Sequence, residues 1–513
     1  MVERLPPYIH ITEKLLHESA LGAANEYTGL SYHETGFGAV GGGTIPAVWN
    51  EALNAQQIAH TTLDTPNPIY GYIHKGTPFP FDTLLYDVPR YPDRKVTTWA
   101  DMVPAYENDP IWMDRHIEQQ SQPGRHLSFL HHTVSVAMEA HLRAQLKNNA
   151  DRIVAMRYHS QLLPTTALLT PDYFAATYGS ISPHDTRYNP ETAFLWNIQR
   201  EAVQNGDVHF ISTDPERVAT IQAVSDVGWL TSGEAEDRFV TIPIPIDTEK
   251  FKPDPSGNRR AEQIRNLNLL SEFNLDPNKR YIGTVSRRDH EKNIWDLIKA
   301  YGQFARNMRE SELTELPDLL IIGGPTNKTG VAEKEKSMQD FLHELPSYIR
   351  SKIHISHSPR PHEDVVHILD MEIYPSWEES FNISAKEAAA AEKVVALSTQ
   401  ASGHRGTNTQ DTAIWFTPLP LDADLGNYVS YQHVFQSAIH LQRTFQQHPS
   451  QRSRDSQKIL NIAKAGYNHV MQNFSSGRIL EQTLQILDAK FPGFFTPDQY
   501  DGVYPGIQIP AYI

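Results

Sequence analysis

Apolar and polar positions run along this chain in alternating blocks, short strand-forming stretches followed by longer ones with helical spacing. In the first half the clearest block is LSFLHH (Leu127 to His132), a helical stretch to about Asn148, and RIVAMRYH (Arg152 to His159). This order predicts one strand-helix-strand crossover, the unit from which parallel sheets are built. DVHFIST near Asp207 and RFVTIPIP near Arg238 predict two further strands. From about Asp247 to Asn278 the chain turns polar and carries Pro253, Pro255, Gly257 and Pro277. That composition predicts a connection between domains, with a boundary near residue 250.

Beyond it the alternation restarts. RYIGTVS (Arg280 to Ser286) is followed by a helix from Asn293, DLLIIGG (Asp318 to Gly324) and a helix near Val331 to Leu345. KIHISH, MEIYPS, a helix from Ser384 and VVALS complete the series. Ile294, Leu297, Ile298, Tyr301 and Phe304 share one face at the 3.6-residue helical period, as in a helix packed on a sheet. The second half is therefore predicted to be a doubly wound α/β domain. Ligands of such sheets bind at the carboxyl ends of the strands, where loops lead into helix N-termini.

Composition narrows the class. A chain of 513 residues predicts two cores, each large enough to be stable alone. No internal repeat or low-complexity tract is visible. Mean hydropathy is −0.47, and no apolar run reaches the roughly 18 residues of a membrane span. The first residues lack the pattern of a signal peptide and cysteine is absent, which predicts a cytoplasmic protein without disulfides or thiolate-bound metals. A net charge of −16 disfavours nucleic acid and anionic lipid as partners. The 24 histidines are scattered, with no HExxH, so no metal site is expected.

The candidate chemistry lies in PSWEESFNISAKEAAAAEKVVALS (Pro375 to Ser398). A buried-type strand leads through the loop Trp377 to Ile383 into a strong helix-forming stretch. Glu379 on the loop and Glu387 on the helix both fall near the strand's carboxyl end. Carboxylates accept paired hydrogen bonds from neighbouring hydroxyls, and a helix start favours a phosphate. Either glutamate alone also reads as a solvated surface charge. At the end of the domain's first strand, GTVSRRDHEKNIWDL places Arg287 and Lys292 in one loop, two cations suited to a pyrophosphate. Together the loops form a candidate site for a sugar linked to a nucleoside diphosphate.

These residues resemble the retaining glycosyltransferases of family 4, the group that includes sucrose-phosphate synthases and bacterial mannosyl- and glucosyltransferases. The resemblance spans about residues 30 to 480. Its most specific part is the Glu-x7-Glu signature from Glu379 to Glu387, preceded by Pro375 and Ser376. Gly283, Arg287, Lys292 and Asn293 match a second loop, and IPIPIDTEKFKP (Ile242 to Pro253) resembles the family's pre-linker segment. In the first half, GAVGGGTIPAVWNEAL resembles the glycine-rich loop and RYHSQL the acceptor-side His-Ser. The chain departs from the pattern at Asn382, where glycine is common, in PIPID, and at Glu392, where a small residue is usual.

The resemblance implies an α/β fold of two facing Rossmann-like domains with a cleft between them, the glycosyltransferase B fold. Residues 1–250 would form the acceptor-side domain and residues 251–465 the nucleotide-sugar domain, with residues 466–513 as a C-terminal helix and tail crossing back. The implied reaction is metal-independent transfer of a hexose, with retained configuration, from a UDP-, GDP- or ADP-sugar to a sugar or other hydroxyl acceptor. No obligatory cofactor is implied. Arg287 and Lys292 would contact the diphosphate, Glu379 the transferred sugar and Glu387 the ribose. Phe381, Asn382 and Ile383 would line the diphosphate, Gly42 and Gly43 would approach the donor, and His159 would lie beside the acceptor; His131 and His132 are weaker candidates. Asp422 and Asp424 form an Asp-x-Asp that reads as a loop. Two other readings stay open: a phosphorylase or epimerase on the same fold, and a non-catalytic nucleotide-sugar-binding subunit.

Overall fold

Parallel strands joined by helices account for both halves of the chain. The computed structural model describes the strands β1 (Tyr8–Thr12), β2 (Tyr70–Tyr72), β3 (Leu84–Tyr86), β4 (His126–His131) and β5 (Arg152–Arg157), together with Tyr158 and residues 161–269, 273–326, 330–356, 360–418, 428–447 and 452–492. They divide into two compact units. One takes the described residues up to Pro245 and from Ser476 onward, the other Ile246–Ser475.

In the first unit β4 and β5 pair in parallel, Leu127 opposite Ile153, as the crossover pattern predicts. With β6 (Val208–Ile211) and β7 (Phe239–Thr241) they form a five-stranded sheet in the order β1-β4-β5-β6-β7, while β2 and β3 pair separately. All four residues of β6 are buried, as expected where helices cover both faces of a parallel sheet. The strand expected through RFVTIPIP stops at Thr241. Helix Ser232–Arg238 before it begins with a capping box made by Thr231 and Glu234. The final helix, Ser476–Lys490, belongs to this unit and packs Ile479 and Leu487 against Ala155, Val208, Phe210 and Ile242.

The second unit holds β8 (Tyr281–Val285), β9 (Asp318–Ile322), β10 (Ile353–Ile355), β11 (Leu369–Tyr374), β12 (Val394–Ser398) and β13 (Ile414–Phe416) in one all-parallel sheet. Its order is β10-β9-β8-β11-β12-β13. The chain thus builds outward from β8 in one direction, then returns to start again at β11 beside it, so the switch point of the sheet lies between β8 and β11. Helix Ile294–Arg306 buries the five residues of its expected face. The stretch expected to be a linker is not one: it contains helix Asn258–Leu269. Ile264 and Leu267 of that helix pack on Tyr281, Leu320 and Leu369, and their spacing of three was masked by the polar residues around them. Helix Arg454–Asn473 runs through residue 465 and lies wholly in this unit, so the chain leaves it after Ser475 instead.

Candidate functional site

The loop after β8 is held by what lies beneath it. Gly283 has no room for a side chain: a Cβ there would meet the Leu320 carbonyl oxygen at 1.8 Å. Arg288, fully buried, forks onto Glu335 at 2.8 and 3.0 Å and donates to the Gly323 and Ser356 carbonyls. Trp295 Nε1 donates to the same glutamate at 2.6 Å. Bidentate geometry of this kind fixes orientation as well as energy. The anchored backbone leaves Arg287 half-exposed, paired with Asp289 at 2.6 Å and Glu291 at 3.0 Å. Lys292, five positions on, takes Glu379 as its partner.

Lys292 Nζ donates to Glu379 Oε1 at 2.6 Å, and Ser376 Oγ donates to the same oxygen at 2.8 Å. Only 11% of the Glu379 side chain is exposed, so it is not the solvated loop charge that its position also allowed. Burial alone would raise its pKa, but Lys292 and Ser376 hold it below the usual carboxylate value. The loops are tied to each other by Trp377 N–H on the Glu291 carbonyl at 2.9 Å. Gly403 N–H bonds the Glu379 carbonyl at 2.7 Å, an approach so close that a Cβ at Gly403 would lie 2.4 Å from that oxygen.

Asn382 caps the helix Ile383–Ala390. Its Oδ1 accepts from Ala385 N–H at 3.0 Å, and its amide reaches His404 Nε2 at 2.9 Å. The His404 Nδ1 faces the Ser398 carbonyl, so Nδ1 carries the proton and Asn382 donates to Nε2. Burial pulls His404 down to about 4, in keeping with a neutral ring. The backbone at Asn382 has a φ of −81°, which asks for no glycine. Phe381 is buried and its ring packs edge-on against Phe474 at 5.7 Å. Ile383 opens the helix.

Beyond the cap, Lys386 is buried against the Phe474 ring and donates to Asn408 Oδ1 at 2.7 Å and to the Thr407 carbonyl. Glu387, read from sequence alone as a possible surface residue, is 8% exposed. Its Oε2 accepts from His362 Nδ1 at 2.7 Å. The other nitrogen of that ring lies 2.9 Å from Glu372 Oε1 on β11. His362 and Glu372 were not candidates in the sequence reading, although a glutamate inside the run MEIY was the signal, since a charge on a buried strand demands a partner.

The switch point therefore brings Arg287, Lys292, Glu379, Asn382 and Glu387 to one edge of one sheet. Gly42, Gly43, His159, His132, Asp422 and Asp424 lie outside the described residues, and of His131 only its place at the end of β4 is described. Among the described residues no helix is long and apolar enough to cross a membrane.

No family model matches the chain, and none of the curated proteins matches it. Solved structures do. Anabaena HepE in complex with UDP and glucose superposes with a TM-score of 0.57 at 14% identity, over 94% of this chain and 99% of that one. Sucrose-phosphate synthase from Thermosynechococcus elongatus gives 0.57 at 15% identity, over 94% and 99%. The trehalose-6-phosphate synthase OtsA gives 0.58 at 12% identity, over 94% and 98%. With its two parallel-sheet α/β units and these likenesses, the chain has the glycosyltransferase B fold.

Proposed function

We propose that this protein is a retaining glycosyltransferase that takes a hexose from a nucleoside-diphosphate sugar and needs no metal. The observation that carries the reading is the Lys292–Glu379 pair, 2.6 Å apart at the switch point of the second sheet, with Glu387 on the helix that follows. HepE, of similar fold, was solved with UDP-glucose, and a UDP-sugar is the first donor to try.

Each group then has a task. Arg287 and Lys292 exchange their carboxylate partners for the donor's diphosphate and neutralise the charge that develops as the bond from the anomeric carbon to the phosphate oxygen breaks. Glu379, released from Lys292, accepts from hydroxyls of the transferred sugar. Glu387 accepts from the ribose. The acceptor oxygen bonds the anomeric carbon on the face the diphosphate leaves, and its proton passes to the departing phosphate. Gly42, Gly43 and His159 keep the donor and acceptor roles that the resemblance implies, to be tested by substitution. An acceptor-side role for the first unit, a donor-side role for the second and a cytoplasmic location belong to the same proposal.

A thermal-shift panel of UDP, GDP and ADP tests the reading. A bound ligand at a hundred times its Kd stabilises by about 2.7 kcal/mol, so one nucleotide should raise the melting temperature clearly, and its sugar conjugates should then be hydrolysed or transferred. If no nucleoside diphosphate binds, the donor site lies elsewhere. Binding without turnover would favour the non-catalytic subunit.

A further inference from the structure

Glu372 is an unexpected charge. It lies in β11, where every residue from Leu369 to Tyr374 is buried, and it has no exposed surface. A lone carboxylate is strongly disfavoured there. It is not alone. His362 Nε2 is 2.9 and 3.1 Å from its two oxygens, and the Tyr374 hydroxyl donates to Oε2 at 2.5 Å. On its other side the imidazole faces Glu387 Oε2 at 2.7 Å. Ionised carboxylates only accept hydrogen bonds, so both ring nitrogens donate and the ring is an imidazolium between two carboxylates.

The surroundings agree. Burial works against the charged ring, but Glu372 and Glu387 outweigh it and push His362 up to about 10. Tyr374 is driven well above its ordinary value by burial and by Glu372, so it keeps its proton and donates. Also near are Glu379, whose charge reaches Tyr374, His367, which burial takes down to about 4, and Lys393, lowered by burial against the pull of Asp370 and Glu372. The Phe251 ring, 5.7 Å away centre to centre, packs beside the imidazole. Glu387 Oε1 has no protein partner among the described residues, and the side chain is 10% exposed.

We propose that His362 is the positioning residue of a ribose subsite: seated on Glu372, it holds Glu387 by Oε2 and reserves Oε1 to accept a hydrogen bond from the ribose of a nucleoside diphosphate. The proposal rests on the donor site assigned above. A carboxylate already fixed in place loses little side-chain freedom when ligand arrives, which favours affinity. The ligand class is thus ribonucleoside diphosphates in preference to dideoxy ones.

Calorimetry on the parent, His362→Gln and His362→Phe tests this with three probes: UDP (or GDP or ADP, if the panel selects it), its 2′,3′-dideoxy analogue, and inorganic pyrophosphate. The parent should prefer the ribose form by about tenfold or more, as for a hydrogen bond to a charged group. His362→Phe should cut that preference to a few-fold and His362→Gln should fall between. Pyrophosphate affinity should stay the same in all three, since Arg287 and Lys292 are untouched. Variants that bind pyrophosphate normally and keep the parent's ribose preference would overturn the proposal. Variants that lose pyrophosphate as well would also overturn it, by making His362 a support of the fold. A parent that binds no nucleoside diphosphate would instead remove the donor site itself.

Discussion

Lys292 and Glu379 partner each other in a mostly buried pair, so truncating one leaves the other's charge uncompensated. Lys292→Ala should lower kcat about a hundredfold, the worth of about 3 kcal/mol of transition-state charge stabilisation, and weaken nucleoside diphosphate binding as well. Glu379→Ala should reduce kcat while leaving nucleoside diphosphate affinity unchanged or higher, because Lys292 is then unpaired. Glu387→Ala should weaken donor binding with kcat less affected, since the ribose does not change charge during transfer. Initial rates with calorimetry separate the three, and nucleoside diphosphate binding unchanged by both Lys292→Ala and Glu387→Ala would move the donor site elsewhere. His362 adds a pH signature. Its folded pKa of about 10 lies above the ordinary 6.5 or so. Its contribution to stability is therefore complete below about pH 6.5 and declines as pH rises toward 10. The stability difference between parent and His362→Gln, about 3 kcal/mol for a broken buried pair, should shrink across that window in urea titrations. A difference independent of pH would argue against the imidazolium.

At the scale of elements, helix Ile383–Ala390 shows how the site is held and where it is strained. It ends in a Schellman arrangement, Lys393 N–H on the Ala388 carbonyl and Glu392 N–H on the Ala389 carbonyl, each at 3.0 Å. That geometry puts Glu392 in the left-handed region with φ of 57°, where any residue but glycine is disfavoured. The family's small residue at this point thus has a backbone reason. Glu392→Gly gives up only an exposed 3.8 Å contact with Lys464, worth little. It should stabilise the protein by about 1 kcal/mol, read as a higher melting temperature; a lower one would mean that Glu392 is held by more than its backbone. Gly403→Ala should act oppositely. The added methyl would press on the Glu379 and Ser380 backbone at 2.4 to 2.6 Å, so both melting temperature and donor affinity should fall. Unchanged donor affinity would show that the loop can shift without consequence for the site.

For the molecule as a whole, the proposal assigns leaving-group charge to two side chains and not to a metal. Transfer should persist in excess EDTA. Loss restored by manganese would direct attention to Asp422 and Asp424. An alpha-linked donor should give an alpha-linked product, read from the anomeric proton coupling; a beta product would remove the retaining assignment while leaving the fold intact.

Periodicity and local chemistry determined much on their own. Five of the six described strands of the second unit, the buried face of helix Ile294–Arg306 and the two motif loops follow from residue spacing, because burial on both faces of a parallel sheet leaves continuous apolar runs, whereas the three-residue β13 is too short to stand out. Helix Asn258–Leu269 was hidden because only a narrow stripe of it is buried, too few apolar positions to stand out from a polar, proline-bearing stretch. What no local pattern contains is adjacency. Lys292 and Glu379 are 87 positions apart and meet only because β11 returns to lie beside β8. His362, Glu372 and Glu387 come from a short 3-10 helix, a strand and an α-helix, and of the three only Glu372, a charge inside an apolar strand, stands out on its own. Their shared charge is a property of burial, which removes water and obliges every carboxylate and imidazole to find its partner in the fold.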